Sequence, residues 1–222
     1  MSFDRHIVFG GIAALALVAG ISVGCGDDSE PINNTASCQG DCQCTGDTCT
    51  CAQGGKCTFG PAGSGGDGGA DGGTNAPDNV TYKCESKGEC NAACGTGCTT
   101  TCGGQSTCNA TCESNCTATC NGTSDCTIDT GTNSTVTCGG GSECAVELGE
   151  GSTLKCTGNS TCTIKCPQGG CNAECQGSAG CTIECGAAKA CNFTCNGGKT
   201  EECAAGTTCG ACGTKVETDG GK

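Results

Sequence analysis

The chain contains no tryptophan, one tyrosine, one methionine and one histidine among 222 residues, and aromatic residues make up only 2% of it. At that length a conventional interior of aromatic and aliphatic side chains is excluded. Arginine is as scarce: Arg5 is the sole example, and it lies with His6 and Met1 in residues 1–24. Removal of that stretch on export would leave no histidine as general base or metal ligand, and no arginine as a bidentate anion clamp. Ser-His and Cys-His nucleophiles are then impossible. Positive charge is short throughout, with 10 Lys plus Arg against 23 Asp plus Glu and a net charge of −13. Such a surface repels phosphate backbones, so no nucleic-acid partner is expected.

The chemistry left is that of carboxylates. Asp129, Glu147, Glu174 and Glu184 fall at outward positions of the repeat described below, where a solvated charge is the plain reading. A glycosidase would also need a cleft lined by aromatic rings, and beyond residue 24 only Phe59, Tyr82 and Phe193 are available. The sequence therefore reads as a non-enzyme without a cofactor.

What the chain has instead is cysteine and glycine, 31 and 42 residues. From Cys84 to Cys212 the cysteines recur on a period of about 18 residues, in units such as CESKGECNAACGTGCTTT, CGGQSTCNATCESNCTAT and CNGTSDCTIDTGTNSTVT. Two kinds of interval alternate within each unit. One is rich in turn residues (GGQST, NGTSD, TGNST, and the shorter GTG, ESN, PQGG). The other is a three-residue β-type interval: TIK between Cys162 and Cys166, TIE between Cys181 and Cys185, TAT between Cys116 and Cys120. These alternate strictly, so Cys162, Ile164 and Cys166 point one way while Thr163 and Lys165 point the other. Each unit therefore predicts two short strands joined by two turns, one coil of an all-β, two-faced β-solenoid.

Interval type also predicts pairing. Residues four apart in an extended strand sit roughly 13 Å apart, and a disulfide needs Cα atoms within about 7 Å. Strand-flanking cysteines cannot bridge, whereas turn-flanking ones can. The expected pairs are Cys84–Cys90, Cys102–Cys108, Cys120–Cys126, Cys138–Cys144, Cys156–Cys162 and Cys175–Cys181, with Cys94–Cys98, Cys112–Cys116, Cys166–Cys171 and Cys185–Cys191 across the other turn. Two units lose both members of this second pair, with Thr130/Ser134 and Leu148/Ser152 in their places. Cys195, Cys203, Cys209 and Cys212 then pair sequentially by exclusion. A ladder between neighbouring coils is the alternative connectivity.

Disulfides also have to fill the interior. The repeats offer only Ile128, Val136, Val146, Leu148, Leu154, Ile164, Ile183 and Phe193 as large apolar residues. By the loop-entropy model each short-loop bridge contributes on the order of 2 kcal/mol.

The C-x5-C of Cys102 to Cys108 and its equivalents, with Thr-x-Thr at Thr99/Thr101, Thr117/Thr119 and Thr135/Thr137, resembles the disulfide-rich antifreeze β-solenoids of beetles. The resemblance is architectural and covers residues 84–212, with a longer coil here. It implies that these threonines, with Thr153, stack into two ranks on one face, a hydroxyl and methyl surface of the ice-binding kind. Against it, threonine suits any exposed strand position.

The amino terminus resembles a bacterial lipoprotein signal. Arg5 precedes the apolar stretch IVFGGIAALALVAGISVG, and Ser22-Val23-Gly24 leads into Cys25. The resemblance implies cleavage after residue 24, lipidation of Cys25 and, because Gly26 follows, delivery to the outer membrane. Setting Cys25 aside leaves 30 cysteines of the 31, an even number that suits full pairing in an oxidising compartment.

The expected organisation is thus a signal (residues 1–24), an acidic tether (25–37), a small Cys-rich module (38–59), a Gly/Asp-rich flexible linker (60–80), the solenoid (81–212) and a disordered tail (213–222). In the module, six cysteines from Cys38 to Cys57 read either as three disulfides or as metallothionein-like thiolates for zinc or copper(I). Asp67 and Asp71 of the linker only faintly resemble calcium-binding Gly-Asp repeats. The favoured function is a lipid-anchored, disulfide-stapled cell-surface scaffold with a structural or adhesive role. The alternative is a binding protein for metal or for an ordered surface such as ice.

Overall fold

The structure is a computed structural model that describes residues 36–60, 76–196, 198 and 200–210. The signal, Cys25, Asp67, Asp71, Cys212 and the tail lie outside the described residues. Every regular element among the described residues is a β-strand. The chain starts with β1 (Cys38–Gly40), β2 (Cys42–Thr45), β3 (Thr48–Cys51) and β4 (Lys56–Phe59). Six coils follow, each contributing one strand to each of two sheets. They are β5 (Thr81–Cys84) with β6 (Glu89–Thr96), β7 (Thr99–Cys102) with β8 (Thr107–Ser114), and β9 (Thr117–Cys120) with β10 (Asp125–Thr132). Next come β11 (Thr135–Cys138) with β12 (Glu143–Leu148), β13 (Thr153–Cys156) with β14 (Thr161–Cys166), and β15 (Asn172–Cys175) with β16 (Gly180–Cys185). β17 (Cys191–Cys195), β18 (Thr200–Cys203) and β19 (Thr208–Cys209) close the chain.

Odd-numbered strands from β3 to β17 stack in parallel in one sheet, and even-numbered strands from β4 to β16 in the other. The protein is a disulfide-rich β-solenoid. Its register never slips: Cys90, Cys108, Cys126, Cys144, Cys162 and Cys181 are successive partners in the even sheet. Cys84, Cys102, Cys120, Cys138, Cys156 and Cys175 are successive partners in the odd sheet. Strand alternation places all of them in the interior, as the burial of Cys162, Ile164 and Cys166 between exposed Thr161, Thr163 and Lys165 illustrates. A one-residue slip would expose the whole sulfur rank.

The structure bonds Cys84–Cys90, Cys102–Cys108, Cys120–Cys126, Cys138–Cys144, Cys156–Cys162 and Cys175–Cys181, so that each bridge ties one sheet to the other within a coil. Across the opposite turn it bonds Cys112–Cys116, Cys166–Cys171 and Cys185–Cys191. Where that second bridge is missing, Thr130 with Ser134 and Leu148 with Ser152 stand in its place, all of them buried. Between the sulfur ranks, Ala92, Ala110, Ile128, Val146, Ile164 and Ile183 are successive partners in the even sheet, and Thr100, Ala118, Val136, Leu154 and Ala173 in the odd sheet.

Four expectations are corrected. Cys94 and Cys98 are not bonded but stand as buried thiols. The last cysteines do not pair sequentially: Cys203 bonds Cys209, and Cys195 is itself disulfide-bonded. The reason is a reversal after β17, which brings β18 back antiparallel so that Cys203 lies beside Cys191, at the start of a further C-x5-C turn. Residues 38–59 are not a separate module, because β3 pairs in parallel with β5 and β4 with β6, and Cys51–Cys57 is one more C-x5-C bridge of the series. Residues 76–80 do not belong to a linker, since Val80 is fully buried and Asn79 N donates to Thr96 O.

The same turn recurs along the stack because its backbone hydrogen-bonds to the coil before it. Gly141 N donates to Gly122 O and Asn159 N to Gly140 O, each at 2.7 Å. Gly122 requires its lack of a side chain: φ is +80° and a Cβ would lie 2.5 Å from Gly104 O. At the opposite turn, Asn79, Asn115 and Asn133 take the left-handed conformation that asparagine tolerates. Both ends of the stack are closed by antiparallel strands, β1 on β4 and β2 on β3 at one end, β18 on β17 and β19 on β16 at the other. These cover the parallel edges that would otherwise template further stacking.

Candidate functional site: a threonine face and a thiol pair

The outward positions of the odd sheet collect threonine. In one rank Thr48, Thr81, Thr99, Thr117, Thr135 and Thr153 are successive lateral partners, with Thr45 of β2 opposite Thr48. The second rank, two residues along each strand, runs Thr50, Lys83, Thr101, Thr119, Thr137, Lys155 and Glu174. Thr99/Thr101, Thr117/Thr119 and Thr135/Thr137 therefore form an uninterrupted block at the lateral spacing of about 4.8 Å that parallel strands impose. Lys83 bounds it on one side and the Lys155–Glu174 ion pair, 3.7 Å apart, on the other. The rank is longer than the sequence suggested, because Thr81 lies beside Thr99 and because Thr45 and Thr48 join once residues 38–59 are part of the stack.

The even sheet presents a different outward surface. Asp125 lies beside Glu143, and Asp129 beside Glu147, on adjacent strands. Partial burial raises the Asp129 carboxyl above its ordinary range. Glu184 is exposed, and Glu174 is held by Lys155 on the other sheet. Asp125, Glu143, Glu147 and Glu184 are exposed on the even sheet, and Asp129 is half-buried beside them.

The six cysteines from Cys38 to Cys57 are bonded as Cys38–Cys42, Cys44–Cys49 and Cys51–Cys57. That pairing overturns the metallothionein-like reading of this cluster, because a disulfide sulfur carries no thiolate charge for a metal.

The thiols lie elsewhere, at the turn between β6 and β7. Cys94 and Cys98 are buried, and their sulfurs cluster with that of Cys112 one coil on, all within 4.8 Å of one another. Cys98 Sγ is 3.4 Å from Pro77 O, and Asp78 accepts from Thr96 N at 2.6 Å directly beside them. A groove of about 240 Å³ reaches Cys94 and Cys112 from the surface between Ala76, Thr111, Glu113 and Asp129.

Comparison with protein-family models, with curated proteins and with solved structures found no match. The geometry of the chain itself therefore carries its functional reading.

One further set of residues went unread in the sequence. Ser106, Ser124, Ser142 and Ser160 are buried inside successive C-x5-C turns, where Ser124 donates to Asn121 O at 2.9 Å and Ser160 to Thr157 O at 2.6 Å. Their signal was the serine two residues before the second cysteine of these four turns.

Proposed function

We propose that this chain is a non-enzymatic, lipid-anchored scaffold exported to the outer membrane, with a structural or adhesive role at the cell surface. The observation that carries the reading is the in-register stack of intra-coil disulfides, which substitutes covalent links for an aromatic core and requires an oxidising compartment to form. Cys25 supplies the anchor and the residues after it the spacer. Metabolic labelling with a fatty-acid analogue tests this in the native host: the chain incorporates label and sediments with membranes, and Cys25→Ser loses both. An unlabelled, soluble wild-type chain would refute the anchor.

A second reading is favoured by the threonine register. The block Thr99/Thr101, Thr117/Thr119 and Thr135/Thr137 offers a regular, uncharged lattice that suits an ordered surface such as ice. Recrystallisation inhibition by the purified chain, lost in Thr117→Lys, supports that reading. Equal behaviour of wild type and variant removes it.

A further inference from the structure

Cys94 and Cys98 are the only cysteines with free thiols among the described residues. In the next coil the equivalent positions are the bonded Cys112–Cys116, and in the coil after that they are Thr130 and Ser134. The pair is thus one member of a repeating turn that carries different chemistry in successive coils. The nearby Cys98 pushes the Cys94 thiol up from its ordinary range, while Cys98 itself is pushed down. Burial and the carboxylates of Asp78 and Glu113 push Cys94 further up. The two sulfurs lie within 4.8 Å of one another at the foot of a groove lined by Glu113 and Asp129, with the Asp78 carboxylate beside them.

We propose that Cys94 and Cys98 form a two-thiolate site for a soft monovalent cation of the copper(I) type, reached through the groove beside Glu113 and Asp129. Thiolates select soft d10 ions, and a metal with only two sulfur ligands at hand fits a low-coordinate ion better than tetrahedral zinc, which takes four. Cys112 adds no thiolate while it is bonded to Cys116. Binding displaces the two thiol protons to solvent and leaves the oxidation state of sulfur and metal unchanged. The bound ion also shields the pair from oxidation in the compartment that closes the other bridges.

The full-length exported chain, purified without reductant, is alkylated and mapped, and then titrated with copper(I) in competition with a chromophoric chelator. The expected result is two alkylated residues, Cys94 and Cys98, one equivalent of copper(I) per chain, and protection of both from alkylation once it is bound. The double variant Cys94→Thr/Cys98→Ser, which copies the chain's own Thr130/Ser134 turn, is expected to keep its β circular dichroism and lose the equivalent. A Cys94–Cys98 disulfide in the mapped chain overturns the proposal. So does copper(I) binding that is undiminished in the double variant, or thiols that stay reactive with copper(I) present.

Discussion

The backbone amide of Ser134 donates to the hydroxyl of Ser152 on the next coil at 2.9 Å, and Ser152 donates to Gly131 O at 3.0 Å. Cys116 N donates in the same way to the Ser134 hydroxyl at 3.2 Å. Where the disulfide is absent, a serine ladder thus satisfies buried backbone groups that a bridge would otherwise hold in place. Ser152→Ala strips partners from two such groups, and it is expected to destabilise the chain by about 1–3 kcal/mol in denaturant unfolding. A midpoint unchanged from wild type would show that the ladder contributes nothing.

Glycine at Gly122 is required by contact as well as by conformation. Alanine there would hold an unfavourable positive φ and push a methyl group against Gly104 O, so the left-handed strain of about 1–2 kcal/mol is a lower bound. Gly103 provides the control, since a Cβ there meets nothing within 4 Å. Gly122→Ala should lower the unfolding midpoint clearly, while Gly103→Ala leaves it level or raises it slightly. Similar losses at both sites would mean that the coil-to-coil approach is not what constrains the turn.

The bridge Cys120–Cys126 sits mid-stack with both sulfurs buried. Replacing both cysteines by alanine removes its loop constraint, about 2 kcal/mol, and leaves a cavity that adds to the loss. Complete reduction should abolish the β signal in circular dichroism, because the few large aliphatics cannot hold two sheets together unaided. Retention of that signal after verified reduction would assign stability to the backbone ladders instead.

Much of this fold was legible because cysteine marks both its strand and its turn intervals. The distance limit on a disulfide converts CTIKC into a strand and CGGQSTC into a closed turn. What escaped were relations set by topology. Cys51–Cys57 has the repeat's own spacing, yet residues 60–80 intervene before the next coil and hide the continuity of β3 with β5. The reversal that pairs Cys203 with Cys209 depends on an antiparallel cap, which no periodicity announces. The threonine rank was legible over Thr99 to Thr153, whereas Cys94 and Cys98 share the spacing of bonded pairs and cannot be told apart from them by sequence.

The sole tyrosine gives a clean optical probe of the capped end. Tyr82 stacks on Phe59 with ring centroids 4.8 Å apart and planes 9° from parallel, and both rings are buried. Its hydroxyl has no hydrogen-bond partner. Burial pushes the phenol well above its ordinary value, with the neighbouring Cys94 and Cys98 adding to the effect. In the unfolded chain the same group ionises near its ordinary pKa of about 10. The unfolded state therefore loses its proton first, and the tyrosine's contribution to stability is full below about pH 10 and falls as pH rises through the folded value. Ultraviolet titration should show no phenolate in the folded chain at a pH where the denatured chain is ionised. Tyr82→Phe removes an unsatisfied buried hydroxyl while keeping the stacked ring, so it is expected to raise stability by about 1 kcal/mol. A normal titration, or a Tyr82→Phe variant weaker than wild type, would show that the hydroxyl finds a partner and that the pocket admits water.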